Sequence, residues 1–548
     1  IAIDPGDAVG LSLQYAGSGA TREFDAFRIW ARAATLADFI QGLQFQDVGP
    51  ANWVYADVRG CIAFFSSGEM PVREDLQQLG YADGGVPPSF IRDGTHALRH
   101  EWLPVENPQP HQSVAYEILP FAEMPQEIDP PHGYLLNANN DPIGTTLDND
   151  PYNQFRPGGG IYYLSTVYDL GLRAGRIRRL LQEAVGSGIP LTVEKMMEIQ
   201  ADHKMPDAEA FVPYILQAFS NATGAGAHPL LASLGGDPEV GDAVARLRSW
   251  DFSTPTGIPE GFDPGDDSLN LPDPSPEEID ASVAATIYSL WRGQIISEVI
   301  DNTLASMGLT PSFRPGSYQS LTALRRLLDE FDALSGFGSS GVNFFDVSGM
   351  ADAYDRRDYL ILKGLRQALD LAAGPDFAPA FSGSANQEDY RWGYLHRITL
   401  DHPLGQPFSI PPLGGFSDLS PELRGIPRAG GFGTVDAANH SARADGVQEF
   451  QFGSGAACRF VAHLRPEGLL MWEVIPGGQS GVRGDPHQAD QLGGWLTNQY
   501  HALDLPCAWP CSEWKPVSVP ALSDTMLALA VFLLFGLAIG FLLKARPR

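Results

Sequence analysis

The sequence has few basic residues for its length. Its 548 residues include 36 lysines and arginines against 66 aspartates and glutamates, which gives a formal net charge of −30. A charge of this sign and size repels phosphate backbones, which argues against nucleic acid as a partner. A neutral or cationic partner molecule fits the charge better. The acidity also suits the soluble surface of an exported protein.

Cysteine is scarce as well. The four cysteines, Cys61, Cys458, Cys507 and Cys511, lack the paired C-x-x-C spacing of a structural zinc site. Cys507 and Cys511 lie close together in a proline-rich segment, where a small disulfide loop and two free thiols are both open alternatives. Cys61 and Cys458 lie in strand-like runs, and we expect both thiols in the core.

The chain contains no internal repeat and no long low-complexity linker. A single large core is therefore expected in place of several domains. Apolar residues make up 44% of the sequence and charged residues 19%, the balance of a globular protein. The 59 glycines and 44 prolines predict many turns and long loops.

An uncharged apolar run, MLALAVFLLFGLAIGFLL, occupies residues 526–543. As a helix it would span about 27 Å, close to the thickness of a bilayer core, so we predict a transmembrane helix; a buried core helix is the alternative. The basic residues 544–548 predict a cytoplasmic end, with the rest of the chain outside the cytoplasm. With the linker at 514–525, this tail resembles bacterial sorting tags of the exosortase type, which implies an anchor that is either retained or cleaved after export.

Local patterns predict two antiparallel strand pairs. Residues 51–67 contain two β-rich runs around Asp57-Val58-Arg59-Gly60, which predicts a hairpin. Residues 459–464 and 469–475 are predicted to form a second pair.

Helices are predicted at four places. Spaced apolar residues indicate helices over 22–43 and 172–185. Residues 192–219 are predicted to be helical with interruptions at prolines 206 and 213. Ser275-Pro276-Glu277-Glu278 is a capping box that launches a helix to about residue 304.

Three motifs resemble one known family. They are GYLLNANNDP (133–142), YRWGYLHRITLDHPLG (390–405) and WEVIPGGQSGVRGDPHQADQLGGWLTNQ (472–499). In this order they resemble the large-subunit region of the penicillin acylase family of secreted N-terminal-nucleophile (Ntn) amidohydrolases. The resemblance implies an α+β fold, an Ntn-hydrolase αββα sandwich present in part over residues 1–513. It also implies a small subunit from the same precursor as a partner.

The resemblance implies the chemistry too. In that family the first residue of the large subunit is a Ser, Thr or Cys nucleophile, and its own α-amino group, with a pKa of about 7.7–8.0, acts as the base. This sequence begins with Ile1, without an initiator methionine or a signal peptide. We therefore expect a truncated product whose nucleophile lies upstream of Ile1.

Two residues match the family's oxyanion and positioning groups. Asn139 matches the first asparagine of the family's "ANN" motif, whose side-chain amide donates to the oxyanion. An Asx turn is the alternative for this segment, and Asn140 is assigned to that turn. Arg173, in LRAGRIRRLL, matches the active-site arginine that holds the asparagine in register. A solvated basic helix face is the interpretation for the neighbouring arginines.

The other polar residues of the motifs are expected to be structural. Gln200, Asp202, His396, Gln479 and Ser480 are each predicted to make buried hydrogen bonds and to take no part in catalysis. Ser480 in particular does not lie in a G-x-S-x-G nucleophile elbow.

No cofactor is required for this chemistry, but the resemblance implies a structural calcium ion. Asp150 is the residue expected to supply a carboxylate to it. The acidic loop at 259–274 is interpreted as a solvated linker, with a calcium loop as the alternative, although its spacing matches no EF-hand.

Two functions follow. The first is an exported amidohydrolase that cleaves the amide bond of a small N-acyl substrate, such as a penicillin or an acyl-homoserine lactone, through an acyl-enzyme. The second is a non-catalytic, surface-anchored binding protein on a degenerate acylase scaffold, which the absence of a nucleophile at Ile1 suggests. A Ser, Thr or Cys at an upstream processing junction would favour the first.

Overall fold

The computed structural model of the chain describes residues 10–77, residues 101–411 except 110, 113, 149, 151, 310 and 406, and residues 423–503. The α-helices of these residues are α1 (Glu23–Trp30), α2 (Leu36–Leu43), α3 (Glu74–Gln77), α4 (Leu172–Gly186), α5 (Val193–Gln200), α6 (Pro206–Ala222), α7 (Pro229–Gly235), α8 (Pro238–Ser249), α9 (Pro276–Ile296), α10 (Asn302–Ser306), α11 (Ser317–Asp329), α12 (Phe331–Leu334), α13 (Ala353–Ala372), α14 (Ala378–Phe381), α15 (Trp392–Leu395) and α16 (Leu492–Leu496). The strands are β1 (Ala51–Ala56), β2 (Ile62–Ser67), β3 (Gln126–Ile128), β4 (Arg397–Ile398), β5 (Ile426–Pro427), β6 (Ala438–Asn439), β7 (Ser454–Gly455), β8 (Arg459–Arg465), β9 (Gly468–Val474) and β10 (His501–Leu503).

The largest core forms around α9. The predicted capping box is confirmed: the Ser275 hydroxyl accepts from the backbone N–H of Glu278 at 3.2 Å, and the Glu278 carboxylate accepts from the N–H of Ser275 at 2.7 Å. Almost every residue from 282 to 296 is buried, so α9 packs on all sides and not along one stripe. Helices α6, α8 and α13 pack around it, and the Trp291 indole donates to the Ile361 carbonyl of α13 at 3.0 Å.

This helix does not run regularly to residue 304. A π-helical turn occupies Ser297–Asp301, and α10 completes the run. A π turn accommodates an extra residue within an α-helix, which local apolar spacing does not reveal.

Both predicted strand pairs are confirmed. β1 and β2 pair antiparallel from Ala51 opposite Ser67, and the Asp57 carboxylate closes their turn by accepting from the N–H groups of Arg59 and Cys61. β8 and β9 pair antiparallel in the same way, and β10 joins them on the other side of β9.

Two helix predictions need correction. The single helix expected over 22–43 is wrong, because Thr35 and Asp38 form a capping box that starts α2 separately from α1. The stretch 192–219 divides at Pro206, which occupies the first position of α6, whereas Pro213 lies inside α6 without ending it.

The expectation of core thiols is also wrong. Cys61 is half-buried in the turn before β2, with its Sγ 3.4 Å from the Asp129 carboxylate, and Cys458 is exposed. Both thiols are free. Cys507 and Cys511 lie outside the described residues, and their pairing stays open.

The α+β class is confirmed, with the described strands arranged in two three-stranded and two two-stranded sheets. The predicted transmembrane helix is corrected: no helix in the described ranges is long and apolar enough to cross a membrane. The long helices α9 and α13 both carry charged side chains. The membrane anchoring derived from residues 526–543 is withdrawn as well. The segments 514–525, 526–543 and 544–548 lie outside the described residues. The domain boundary at 513 therefore stays a prediction.

Candidate active site

The turn that carries Asn139 is built by its asparagine neighbours. The Asn137 side-chain oxygen accepts from the N–H of Asn139 at 3.1 Å, and the Asn140 oxygen accepts from the N–H of Ala138 at 3.1 Å. Asn139 itself has a φ of 61°, in the left-handed region that asparagine tolerates better than other residues with a Cβ. An Asx turn is therefore present, but Asn137 forms it and not Asn139 or Asn140 as expected, and it presents the exposed Asn139 side chain at its tip.

A buried carboxylate fixes the far side of this turn. Asp141 accepts hydrogen bonds from the N–H groups of Ile143, Gly144 and Thr146 and from the hydroxyl of Thr145, at 2.7–3.0 Å. These bonds satisfy the charge of a side chain that solvent hardly reaches. The turn is thus rigidly attached to the chain that follows it.

Arg173 reaches this turn from the first turn of α4. The helix starts after Gly171, whose φ of 81° suits glycine, and Asp169 accepts from the Gly171 N–H at 3.1 Å. The Nη2 of Arg173 donates to the Ala138 carbonyl at 2.7 Å and to Oδ1 of Asn139 at 3.1 Å. The structure therefore brings the two predicted site residues into direct contact.

This contact determines which way the Asn139 amide points. A guanidinium can only donate, so the atom of Asn139 that faces it must be the oxygen. The amide NH₂ then points away from Arg173, and the described residues offer it no hydrogen-bond acceptor. An exposed, oriented donor of this kind is what an oxyanion site requires.

The neighbouring arginines of α4 have other partners. Arg176 forms an ion pair with Asp202 at 2.6 Å, and Arg179 pairs with Glu209. Arg178 is exposed. Within the described contacts of α4, the arginine that touches Asn139 is Arg173.

Asp150 makes local hydrogen bonds, and its role at a calcium site stays a prediction. Its carboxylate accepts from the N–H of Tyr152 at 3.1 Å, and its own N–H donates to Asp148, as in consecutive Asx turns. Across the part of the chain that the structure describes, no three His, Cys, Asp or Glu side chains converge to hold a metal.

In the acidic loop, Asp263 accepts hydrogen bonds from the hydroxyl and the N–H of Thr256, and burial raises the pKa of Asp263 to about 6.

A small cleft of about 70 Å³ lies beside the Asn139 turn. It is lined by Thr146, Leu147, Thr166, Tyr168, Asp169, Leu170, Tyr318, Gln319 and Thr322. The pKa of Tyr318 is raised by burial and by the nearby Asp169 carboxylate, and the Arg173 guanidinium opposes this shift. The cleft thus has mixed polar and apolar walls next to the candidate site. A larger cavity of about 580 Å³ between α8 and α9 shares no lining residue with it.

Of the motif residues predicted to make buried structural hydrogen bonds, Gln200 does so, whereas the prediction is wrong for Gln479. Gln200 donates to the Phe460 carbonyl at 2.9 Å and accepts from the Tyr500 hydroxyl at 2.7 Å, which joins α5 to β8. The Ser480 hydroxyl accepts from the N–H of Val482 within its own turn, and Gln479 is exposed. Gly478 lets this turn close, because a Cβ there would lie 2.0 Å from the carbonyl of residue 487.

His396 is fully buried between two backbone carbonyls. Its Nδ1 lies 2.7 Å from the Arg428 carbonyl and its Nε2 lies 2.9 Å from that of Ala438, with the Trp392 ring stacked on it. Burial lowers the pKa of His396 to about 4, although both carbonyls favour the protonated ring. The neutral ring donates one N–H.

This burial predicts acid sensitivity. The folded pKa of about 4 lies below the unfolded value of about 6.5, so the unfolded chain takes up the proton first as the pH falls. We expect His396 to lower the free energy of unfolding by about 3 kcal/mol between pH 6.5 and pH 4. Urea unfolding at several pH values should show a smaller pH dependence in His396→Gln than in the wild type. The control is His487→Gln. His487 is exposed and Asp490 raises its pKa, so removing it should not reduce the pH dependence of the free energy of unfolding. Equal slopes in the wild type and His396→Gln would contradict the prediction.

Sequence reasoning missed two groups of residues. Asp169 lies four residues before Arg173, a spacing that could have indicated an ion pair. The second group is a buried cluster in which Asp436 binds Arg428 and Arg459, with Asn498 donating to Asp436 at 2.8 Å. Its members come from distant segments, and no local pattern joins them.

The chain is similar to a solved structure and matches a family model. A solved structure of a thermostable penicillin G acylase from Alcaligenes faecalis is similar to 88% of this chain and 69% of its own, with 17% identity and a TM-score of 0.48. The family model described as penicillin amidase matches residues 3–507. Because this match covers nearly the whole chain, the protein belongs to the penicillin amidase family of amidohydrolases.

Proposed function

We propose that the protein hydrolyses the amide bond of a small N-acyl substrate through an acyl-enzyme, with Asn139 binding the oxyanion and Arg173 holding Asn139. The observation that carries this proposal is the contact of Arg173 with the Asn139 oxygen at 3.1 Å, which turns the amide NH₂ outward. Membership of the penicillin amidase family supplies the reaction class.

The chemistry follows from the charge that develops. Attack on an amide carbonyl converts its oxygen into an anion, and a neutral N–H donor stabilises this anion without a charge to neutralise in the ground state. The guanidinium of Arg173 also draws electron density toward Oδ1 of Asn139, which makes the amide N–H a stronger donor. Arg173 therefore acts through Asn139, whose N–H binds the substrate oxygen.

The proposed attacking group is the hydroxyl or thiol of the residue that begins the large subunit in this family. None of the described residues is assigned that role. The α-amino group of that first residue takes the proton from the attacking hydroxyl or thiol. It passes this proton to the leaving amine as the carbon–nitrogen bond breaks. Water then attacks the acyl ester or thioester and gives a proton to the α-amino group; the bond between the acyl carbon and the nucleophile breaks, the proton returns to the nucleophile and the carboxylic acid leaves. The oxyanion of this second step occupies the same site. The small subunit of the same precursor is the proposed partner.

Burst kinetics test the proposal. The full-length processed protein should release p-nitroaniline from neutral N-acyl p-nitroanilides in a rapid phase that approaches one equivalent per enzyme, followed by slower turnover, because the acyl-enzyme accumulates. Mass spectrometry of the quenched reaction should find the acyl group on the chain. A fully processed protein that binds N-acyl amides without cleaving them would contradict the proposal and favour the binding-protein alternative.

A further inference from the structure

Asp169 contacts both halves of the candidate site. Its Oδ2 accepts from Nη2 and Nε of Arg173 at 3.0 and 3.3 Å, and its backbone N–H donates to the Asn139 carbonyl at 2.9 Å. Its Oδ1 also accepts from the N–H of Gly171, just before α4. One residue therefore links the asparagine turn, the arginine and the start of the helix.

Arg173 needs such a partner because its side chain is long and partly exposed. An arginine has several freely rotating bonds, and a fixed position of its planar fork requires acceptors on more than one nitrogen. The Ala138 and Asn139 oxygens both contact Nη2 alone. Asp169 contacts Nε as well as Nη2, so it sets the rotation of the fork.

A second ion pair on the same helix provides a comparison. Arg176 and Asp202 form a pair whose side chains are 15% and 11% exposed, against 16% and 11% for Arg173 and Asp169. The two pairs should contribute similarly to stability, since burial and charge are matched. Arg176 also lies 3.9 Å from the Glu209 carboxylate, and its guanidinium, unlike that of Arg173, does not touch Asn139.

We infer that Asp169 is a positioning residue of the amidohydrolase: it fixes the Arg173 guanidinium, and through it the direction of the Asn139 N–H donors. This inference rests on the proposed function. Asp169 does not touch the reacting atoms. It acts by keeping the Asn139 oxygen bound to Nη2, so that the NH₂ group cannot exchange places with it.

The test compares two matched variants of the full-length protein. Asp169→Asn keeps the size of the side chain but loses the charge and one acceptor, and we expect kcat to fall about tenfold to a hundredfold with little change in KM. Asp202→Asn removes the matched charge and should lower the melting temperature to a similar degree while kcat stays within about threefold. Equal losses of kcat in both variants would show a merely structural role and overturn the inference.

A double variant distinguishes this inference from the function on which it rests. If Asp169 acts through Arg173, Asp169→Asn should cost nothing further in kcat once Arg173→Ala is present. A full additional loss would overturn the inference. If Arg173→Ala itself leaves kcat unchanged, the proposed role of Arg173 fails and the inference fails with it, whereas the role of Asn139 is tested by its own variants. If Arg173→Ala lowers kcat but Asp169→Asn does not, the proposed function stands and only the inference fails.

Discussion

Replacing Asn139 by aspartate is expected to lower kcat by about 10²- to 10³-fold in the full-length protein. The aspartate keeps an oxygen for the 3.1 Å contact with Arg173, so the turn and the ion pair of Arg173 with Asp169 should persist. It loses the N–H donors and places a negative oxygen where the substrate oxygen becomes negative. The loss of one oxyanion donor alone accounts for a decrease of that size, and repulsion adds to it.

Alanine would be a poorer probe at this position. The φ of 61° at Asn139 disfavours any residue with a Cβ that cannot bond locally, at about 1–2 kcal/mol, so a loss of activity could reflect a displaced turn. Asn139→Gly removes the amide without that strain. We expect it to lower kcat nearly as much as the aspartate does, with an unchanged melting temperature.

The control for the added charge is Asn137→Asp. It places the same negative charge two residues earlier and keeps the oxygen that accepts from the Asn139 N–H at 3.1 Å. Its kcat should fall by less than about tenfold, because no donor is lost. Wild-type kcat in both Asn139→Asp and Asn139→Gly would show that the oxyanion donor lies elsewhere.

Replacing Asp436 by asparagine is expected to lower the free energy of unfolding by about 3–5 kcal/mol. The Asp436 carboxylate is 2% exposed and lies between the guanidinium groups of Arg428 and Arg459, which are 1% and 3% exposed. Without it, two buried positive charges lose their counter-ion. The Trp495 ring lies 4.9 Å from the guanidinium carbon of Arg428 and 4.6 Å from that of Arg459. This ring and the Trp495 and Leu496 carbonyls offset only part of that cost.

Chemical denaturation of Asp436→Asn and Asp401→Asn measures this difference. Asp401 pairs with Arg424 at the surface, where side chains are 63% and 45% exposed, and its loss should cost at most about 1 kcal/mol. Burial acts to raise the pKa of Asp436, but Arg428 and Arg459 together lower it below its usual range. The folded carboxylate therefore stabilises the protein above about pH 4, and this contribution is lost as the pH falls toward the folded pKa. Equal stability losses in the two variants would contradict the buried-charge argument.

Local chemistry predicted those parts of the fold whose causes lie within a few residues. The capping box at Ser275 and the turn at Asp57 both place a side-chain acceptor beside nearby N–H groups, and both occur as expected. The single helix over 22–43 was wrong because apolar spacing alone does not reveal the capping box of Thr35 and Asp38, which starts a second helix. The π turn after Ile296 has no short-range signature at all.

The candidate site shows the same limit. Asn139 and Arg173 were identified from motifs, and the structure brings them together, although their catalytic roles stay proposals. The Asp436 cluster escaped prediction because Arg428, Arg459 and Asn498 approach it only after α16 and β8 have packed. Long-range charge pairing depends on the finished fold and leaves no periodic pattern in the sequence.

The π turn at Ser297–Asp301 gives the helix after α9 a place where chain length can change. Deleting one residue inside the regular part of α9 would rotate everything beyond it by about 100°, and a helix buried on all sides has no face that tolerates such a rotation. Deleting one residue within the π turn would instead convert it into an ordinary α-helical turn and leave both flanks in phase. Among related sequences, single-residue length differences in this helix should therefore fall at 297–301 and not within α9.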